Sequence, residues 1–471
     1  MAFALLLPEI MLMLPPLLGT QDICNLTLTC KHFRSVLLSH LYKKIWWREC
    51  PCIDKHQNTL PLPPIHLLLR SLMKSPDLGE YVQEIDFSIV PMENIPSDGT
   101  ITLWAYDAVP GLSSCEIDCA IQWMQHYHPI RYKSFERLLK RGRFDAYVCL
   151  ILAFLPNLRS LKLCVDYIPF RSELLGSIVK HSSVPLQQGA ILTNTLPRYR
   201  SLQKIELAAS SRFVFARNKP LVEDIYCFFN LPELQYLQIC LPQTSNFWPD
   251  LTDGTRMQNL TTLLLPVCEA NESALEALLS RKPPLRKLEY HYRFGDFLLF
   301  DESYHIDLAI LSRALIYVQE TLENLTLSIH HDNPDAENIP YRTRRHGLFQ
   351  SKLSSLTAFP RLEYLQIPFL VLTGWKAPAN FVNPLADMLP SSISYLCLTD
   401  DLCHWRNRQS HLERCFHQLE DLLAAKERGN AAEKLEIVEM QSRSPWYGWE
   451  TEDEKEFKRL GVRYGIETRY A

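Results

Sequence analysis

A short apolar pattern, Leu-x-x-Leu-x-Leu, recurs along most of the chain. It appears as Leu158–Leu161–Leu163, Leu202–Ile205–Leu207, Leu234–Leu237–Ile239, Leu260–Leu263–Leu265 and Leu285–Leu288–Tyr290. It continues as Leu322–Leu325–Leu327, Leu362–Leu365–Ile367, Ile393–Leu396–Leu398 and a weaker Leu435–Ile437. Ile85–Phe87, after Leu78 and Val82, reads as an opening unit. Apolar residues at alternate positions of a short strand point to one side, and the residues between them point to the other. One such strand cannot hide its leucines, but neighbouring repeats stacked on it can. Two copies are almost the same: Leu234-Gln235-Tyr236-Leu237-Gln238-Ile239 and Leu362-Glu363-Tyr364-Leu365-Gln366-Ile367. Several units follow Pro or a helical segment, as Tyr147–Leu155 precedes Pro156, so the order of helix, turn and strand predicts an α/β fold of stacked repeats. From Leu161 to Leu435 the central positions are 44, 32, 26, 25, 37, 40, 31 and 39 residues apart, so the turns carry insertions.

Other stretches change the picture locally. Residues 88–130 contain Pro91, Pro96, Gly99, Pro110 and Gly111, which predicts a long loop with a helix near Ile117–Tyr127. Trp405–Arg428 reads as an amphipathic helix with Leu412, Phe416, Leu419 and Leu422 on one face. Ala431–Glu439 then reads as a strand, Glu450–Leu460 as a charged helix and Gly461–Tyr470 as a closing strand. A polar end unit is what a stack of repeats needs to cap its core.

The first 45 residues follow a different pattern. Pro8 suits the first turn of a helix, where a missing N–H costs nothing, and Glu9 puts negative charge at its positive end. Ile10, Leu12, Met13 and Leu14 supply an apolar face. Pro15-Pro16 and Gly19 punctuate the segment, and Asp22 reads as the N-cap of a second helix. That helix places Ile23, Leu26 and Cys30 on one stripe, and a third carries Phe33, Val36, Leu37 and Leu41. Three short helices of this kind hold more apolar surface than ~40 residues can bury among themselves. Such a unit requires a partner.

At this point the chain resembles the F-box family. That family runs from a Leu-Pro start through Glu-Ile, then an Asp-Leu pair, then Val-Cys-Lys/Arg-x-Trp/Phe-Arg. Here the residues are Leu6-Leu7-Pro8-Glu9-Ile10, Asp22-Ile23 and Thr29-Cys30-Lys31-His32-Phe33-Arg34, with 13 positions from Glu9 to Asp22 and 8 from Asp22 to Cys30. The run Leu41-Tyr42-Lys43-Lys44-Ile45 is similar to the segment that follows many fungal F-boxes. Pro15, Ile23 and Thr29 depart from the family pattern, and Pro15 shortens or kinks the first helix. The resemblance implies a small three-helix F-box followed by an irregular leucine-rich-repeat solenoid, a horseshoe. It implies docking of a Skp-type adaptor, and through it a cullin, by Leu6, Leu7, Pro8, Glu9, Ile10, Leu14, Leu18, Asp22, Ile23, Leu26, Cys30, Lys31, Phe33 and Leu37.

Composition narrows the alternatives. The 471 residues are 47% hydrophobic and 22% charged, which is ordinary for a globular chain. A formal charge of −4, from 49 basic against 53 acidic side chains, gives no electrostatic reason to expect nucleic acid or a membrane surface as partner. The basic run Arg342–His346 reads as a solvated loop. Many of the 14 cysteines sit in apolar stretches, such as Cys149 in Tyr147–Leu155 and Cys240 beside Ile239, where they act as small hydrophobes. A reducing intracellular setting, cytoplasmic or nuclear, follows. Ala2–Leu18 imitates a signal peptide, yet no Lys or Arg precedes Lys31 and Pro8-Glu9 interrupts the run. No stretch approaches the ~20 apolar residues of a membrane span.

Candidate chemistry is sparse. There is no Gly-rich phosphate loop, no Gly-x-Ser-x-Gly and no His-Glu-x-x-His. Cys397, Cys403, His404, His411, Cys415 and His417 come nearest to a metal set, and His411 and Cys415 could share a helix face. Without a Cys-x-x-Cys knuckle they read as packing residues. Cys50-Pro51-Cys52 is too tight for zinc, and Cys115 and Cys119 lie in helix-like sequence. Asp250, Asp253, Asp400 and Asp401 fall in turns, where Asp caps and closes them. No cofactor, metal or catalytic role is expected.

The organisation read from the sequence is thus 1–48 as F-box, 49–130 as linker helices with a first irregular repeat, and 131–471 as repeats with a C-terminal cap. The outward strand positions Gln235, Tyr236, Gln238, Glu363, Tyr364, Gln366 and Tyr395 are candidates to hold a target protein, the tyrosines offering large contact area with one polar end. The function so implied is substrate recognition for an SCF-type cullin–RING ubiquitin ligase. The alternative is a leucine-rich-repeat scaffold acting outside a ligase.

Overall fold

In the computed structural model the inward leucines of successive strands lie side by side. It describes residues 8–46, 65–87, 112–127, 132–164, 178–179, 199–208, 227–241, 257–268, 272–294, 306–331, 351, 353–374, 384–401, 408–441 and 451–470. The chain divides into two compact units, Met1–Leu234 and Gln235–Ala471.

In the first unit, α1 (Pro8–Met11) opens on Pro8 and ends before a 3₁₀ turn at Pro15–Leu17. Proline at 15 and 16 cannot donate to a continuing helix. α2 (Thr20–Thr29) has Gly19, not Asp22, at its N-cap. Asp22 lies one turn further in, where its carboxylate accepts the Gly19 N–H at 3.2 Å and meets the positive end of the helix. Cys30 lies outside α2 as well. Its extended backbone (φ −156°, ψ 160°) separates α2 from α3 (Lys31–Lys43), and its Sγ accepts the Phe33 N–H at 3.5 Å.

α3 passes directly into β1 (Lys44–Trp46), a strand the leucine pattern does not announce because only Ile45 of its three residues is turned inward. β1 pairs in parallel with β2 (Glu84–Phe87), Ile45 opposite Ile85. Between them lies α4 (Ile65–Lys74). β2 continues in parallel to β3 (Ser160–Cys164) and β4 (Lys204–Ala208), with Ile85, Leu161 and Ile205 in one row. The crossover from β2 to β3 carries α5 (Ser114–Tyr127), α6 (Tyr132–Lys140) and α7 (Phe144–Ala153). α5 starts three residues earlier than the sequence suggests because Ser113 and Glu116 form a capping box: the Ser113 N–H donates to Glu116 Oε2 at 2.8 Å and the Glu116 N–H to Ser113 Oγ at 3.4 Å. Every residue of α7 is buried, so it reads as core all round and not as one face.

The second unit repeats one step. β5 (Tyr236–Gln238), β6 (Thr262–Cys268), β7 (Lys287–Phe294), β8 (Asn324–His331), β9 (Tyr364–Pro368), β10 (Tyr395–Thr399), β11 (Ile437–Gln441) and β12 (Glu467–Tyr470) follow one another, each parallel to the next. Parallel neighbours require crossovers. These carry α8 (Glu272–Leu279), α9 (Leu308–Ile316), α10 (Phe369–Thr373), α11 (Leu385–Met388), α12 (Arg408–Glu427) and α13 (Thr451–Tyr464). Leu237, Leu263, Leu288, Leu325, Leu365, Leu396 and Val438 form one fully inward row, none more than 1% exposed. Below it the carbonyl before each strand from β5 to β10 accepts two N–H groups from the next, as Glu363 O does from Ser394 and Tyr395, both at 2.9 Å.

Two expectations near the C-terminus are corrected. The unit read as Leu435–Ile437 is Leu435–Val438–Met440, with Ile437 turned outward opposite Tyr395. Three of four residues from 437 to 440 are apolar, and only pairing with β10 shows which alternate set faces in. The closing strand begins at Glu467, since α13 continues through Gly461 to Tyr464 and stops at Gly465, whose φ of +64° favours glycine. Gly461 serves close packing: a Cβ there would meet the Thr468 side chain at 2.6 Å. In β12 the inward positions are Thr468 and the 37%-exposed Tyr470, and the leucine row ends. No described helix is long and apolar enough to cross a membrane.

Candidate functional site

In the N-terminal helices Met11, Ile23, Phe33 and Leu37 form a small buried cluster, with Leu14, Leu18, Leu26 and Cys30 packed partly against it. Ile23, Phe33 and Leu37 are therefore core residues of these helices. Ile10 stays 45% exposed; Asp22 and Lys31 are exposed. Pro8 and Glu9 lie in α1, and Leu6 and Leu7 fall outside the described residues.

The adaptor residues that the resemblance implies leave out four exposed apolar side chains of this segment. Leu12, Met13, Leu17 and Leu28 are 43, 69, 81 and 77% exposed, while Met11 is fully buried. With α1 only four residues long, one residue of the apolar run turns inward and its neighbours turn out. Leu28 lies on α2 away from its buried residues Ile23 and Thr27. Exposed apolar side chains mark a partner surface where they form one contiguous patch.

In the second unit the outward row runs Tyr236, Thr262, Lys287, Asn324, Tyr364, Tyr395, Ile437, Glu467 across β5 to β12. Tyr236 is thus four strands from Tyr364, so the three tyrosines do not form one ladder. Tyr364 and Tyr395 do pair, with ring centroids 5.0 Å apart. Tyr236 and Tyr364 share a local motif, each hydroxyl donating to the glutamine two residues on, Gln238 at 3.2 Å and Gln366 at 2.9 Å. Gln366 Nε2 in turn donates to Gln441 Oε1 at 3.0 Å. The Tyr395 hydroxyl donates to Glu439, and the Arg469 guanidinium lies 5.7 Å from the Tyr395 ring centroid. Burial pushes both hydroxyls up, that of Tyr395 to about 12 with help from Glu439. Gln235 and Glu363 are exposed, just before their strands.

On β7 and β8 the same face carries Glu289, His291 and Ser328. Lys287 Nζ lies 2.8 Å and His291 Nε2 3.7 Å from the Glu289 carboxylate, and His291 Nδ1 meets Ser328 Oγ. His291 first, then Lys287, hold that carboxyl down at about 2 against the opposing effect of burial. These residues, with Glu439, Gln441 and Arg469, escaped sequence reading although they occupy register positions equivalent to Gln238 and Gln366 or beyond.

Cys397 and Cys415 are buried, in β10 and α12, and His417 is exposed near Asp421. Cys403, His404, Cys50, Cys52, Asp250, Asp253 and Arg342–His346 lie outside the described residues, and no side-chain placement is described for His411. Among the described residues no three His, Cys, Asp or Glu side chains are gathered to hold a metal. Asp401 is buried and accepts the Ile329 N–H at 2.9 Å, closing the end of β8.

No protein-family model matches the chain, and no curated protein matches its sequence.

Proposed function

We propose that the chain is a substrate receptor of an SCF-type ubiquitin ligase. On this reading an F-box docks a Skp-type adaptor and, through it, a cullin, and leucine-rich repeats hold a target protein. The observation that carries it is the set of exposed apolar side chains at Ile10, Leu12, Met13, Leu17 and Leu28, on α1, α2 and the turns between them, in the same segment as the F-box-like residues. A four-residue internal core leaves these side chains uncovered, and burial in an adaptor groove would remove them from water. The direct passage of α3 into β1 also supports it, because a docked adaptor would be held in fixed relation to the first strand. The chain itself would catalyse nothing. It would raise the effective concentration of a target near a charged conjugating enzyme.

Co-expression with a Skp-type adaptor tests this reading. The wild-type chain should co-purify with the adaptor, and Pro8→Ala combined with Ile10→Asp should abolish the complex while the repeats stay folded. Survival of the complex in that variant rejects F-box docking. Reconstitution with a cullin and ubiquitin then separates a ligase receptor from a scaffold: a scaffold binds its partner but leaves it unmodified.

A further inference from the structure

Glu272, the first residue of α8, is only 5% exposed, and its Oε1 has no hydrogen-bond partner. It faces a cavity of about 20 Å³ lined mostly by apolar groups, among them Tyr290 and Tyr292 of β7, Leu308 of α9, Leu327 of β8 and Val371 of α10. That volume holds about one water. An anion there would have room for about one water beside it and no counter-charge, which is costly.

The charged neighbours make it costlier. Asp307 caps α9, its carboxylate accepting the Ala309 N–H at 2.9 Å and the Ser351 hydroxyl at 2.5 Å, and its negative charge opposes a second anion. Arg313 of α9 is held by Glu276, one turn along α8, at 2.8 Å. β7 presents the phenols Tyr290 and Tyr292, β8 the apolar Leu327 and Ile329, and α10 no titratable group, while the Ser328 hydroxyl is engaged by His291 on the other face. Burial first, then Asp307, push the Glu272 carboxyl up to about 7, while the backbone N–H groups of Glu272 and Asp307 pull it the other way.

We propose that Glu272 is a protonation latch on α8: closed against β7, β8 and α9 it holds its proton, and it releases that proton to water when α8 opens. Opening therefore becomes more favourable as pH rises. The sign follows from linkage, since the closed form binds one proton more than the open form between the ordinary carboxyl value of 4.5 and about 7. Because β7 and β8 also carry Glu289, His291 and Ser328 outward, the latch would couple pH to that face.

Hydrogen exchange of the α8 amides in the full chain, corrected for intrinsic rates, tests it. Wild-type protection should fall about tenfold per pH unit up to about 7 and then level off. Glu272→Gln, which mimics the protonated acid, should abolish that dependence. If it does not fold, Glu272→Leu, which replaces the carboxyl with an apolar group, takes its place. Wild-type α8 protection that ignores pH, or a pH dependence unchanged in the folded variant, overturns the latch.

Discussion

Tyr364 and Tyr395 occupy opposite register positions on β9 and β10, and their rings lie 5.0 Å apart at a tilt of 32°. The pair is then tied to the next strand, because the Tyr395 hydroxyl donates to Glu439. What read as separate contact residues is one polar and aromatic network, preorganised before any partner arrives. Preorganised side chains lose less conformational entropy on binding.

That network has a measurable energy. Tyr395→Phe keeps the ring contact and removes the hydroxyl. A double-mutant cycle with Glu439→Gln should return a coupling of about 1 kcal/mol in denaturant unfolding. A coupling indistinguishable from zero would mean that the hydroxyl–carboxylate contact contributes nothing to the folded state.

The N-terminal helices should separate binding from stability. Leu17→Asp and Leu28→Asp alter exposed positions, so each should shift stability by no more than about 0.5 kcal/mol while adaptor co-purification is lost. Leu37→Ala empties a fully buried position and should cost about 2–5 kcal/mol. Normal adaptor capture by both surface variants would refute an adaptor contact at these residues.

Acid should weaken the β7 face. The Glu289 carboxyl is held at about 2 in the fold, against an ordinary 4.5, so its contribution is present above the ordinary value. That contribution is lost as pH falls from about 4.5 through about 2. Glu289→Gln should therefore flatten part of the acid limb in a stability–pH profile. An identical acid limb in the two proteins would contradict this assignment.

In the first unit Gly79 has no room for a side chain. A Cβ there would lie 1.9 Å from the Phe154 carbonyl oxygen, in the residue that ends α7. Backbone on both sides must shift, so Gly79→Ala should cost about 1–3 kcal/mol or more by overpacking. Calorimetry reads this directly, and an unchanged melting profile would show that the two segments separate easily.

The sequence by itself determined the inward rows from Leu161 to Leu398, the helices α5, α7, α12 and α13 to within a few residues and the helical character of residues 8–43. The reason is local: period-two burial and helical periodicity are written in residues close together in the chain. Tertiary structure decided what depends on distant partners. Pairing with β10 chose Val438 and Met440 over Ile437, and pairing with β2 made a strand of Lys44–Trp46. The short α1 turned Met11 inward and left Leu12 and Met13 exposed. Register set Tyr364 against Tyr395 and placed Tyr236 four strands away. Glu272 is the extreme case, since an acidic residue opening a helix reads as solvated until α9, β7 and β8 close over it and remove the water that would carry its charge.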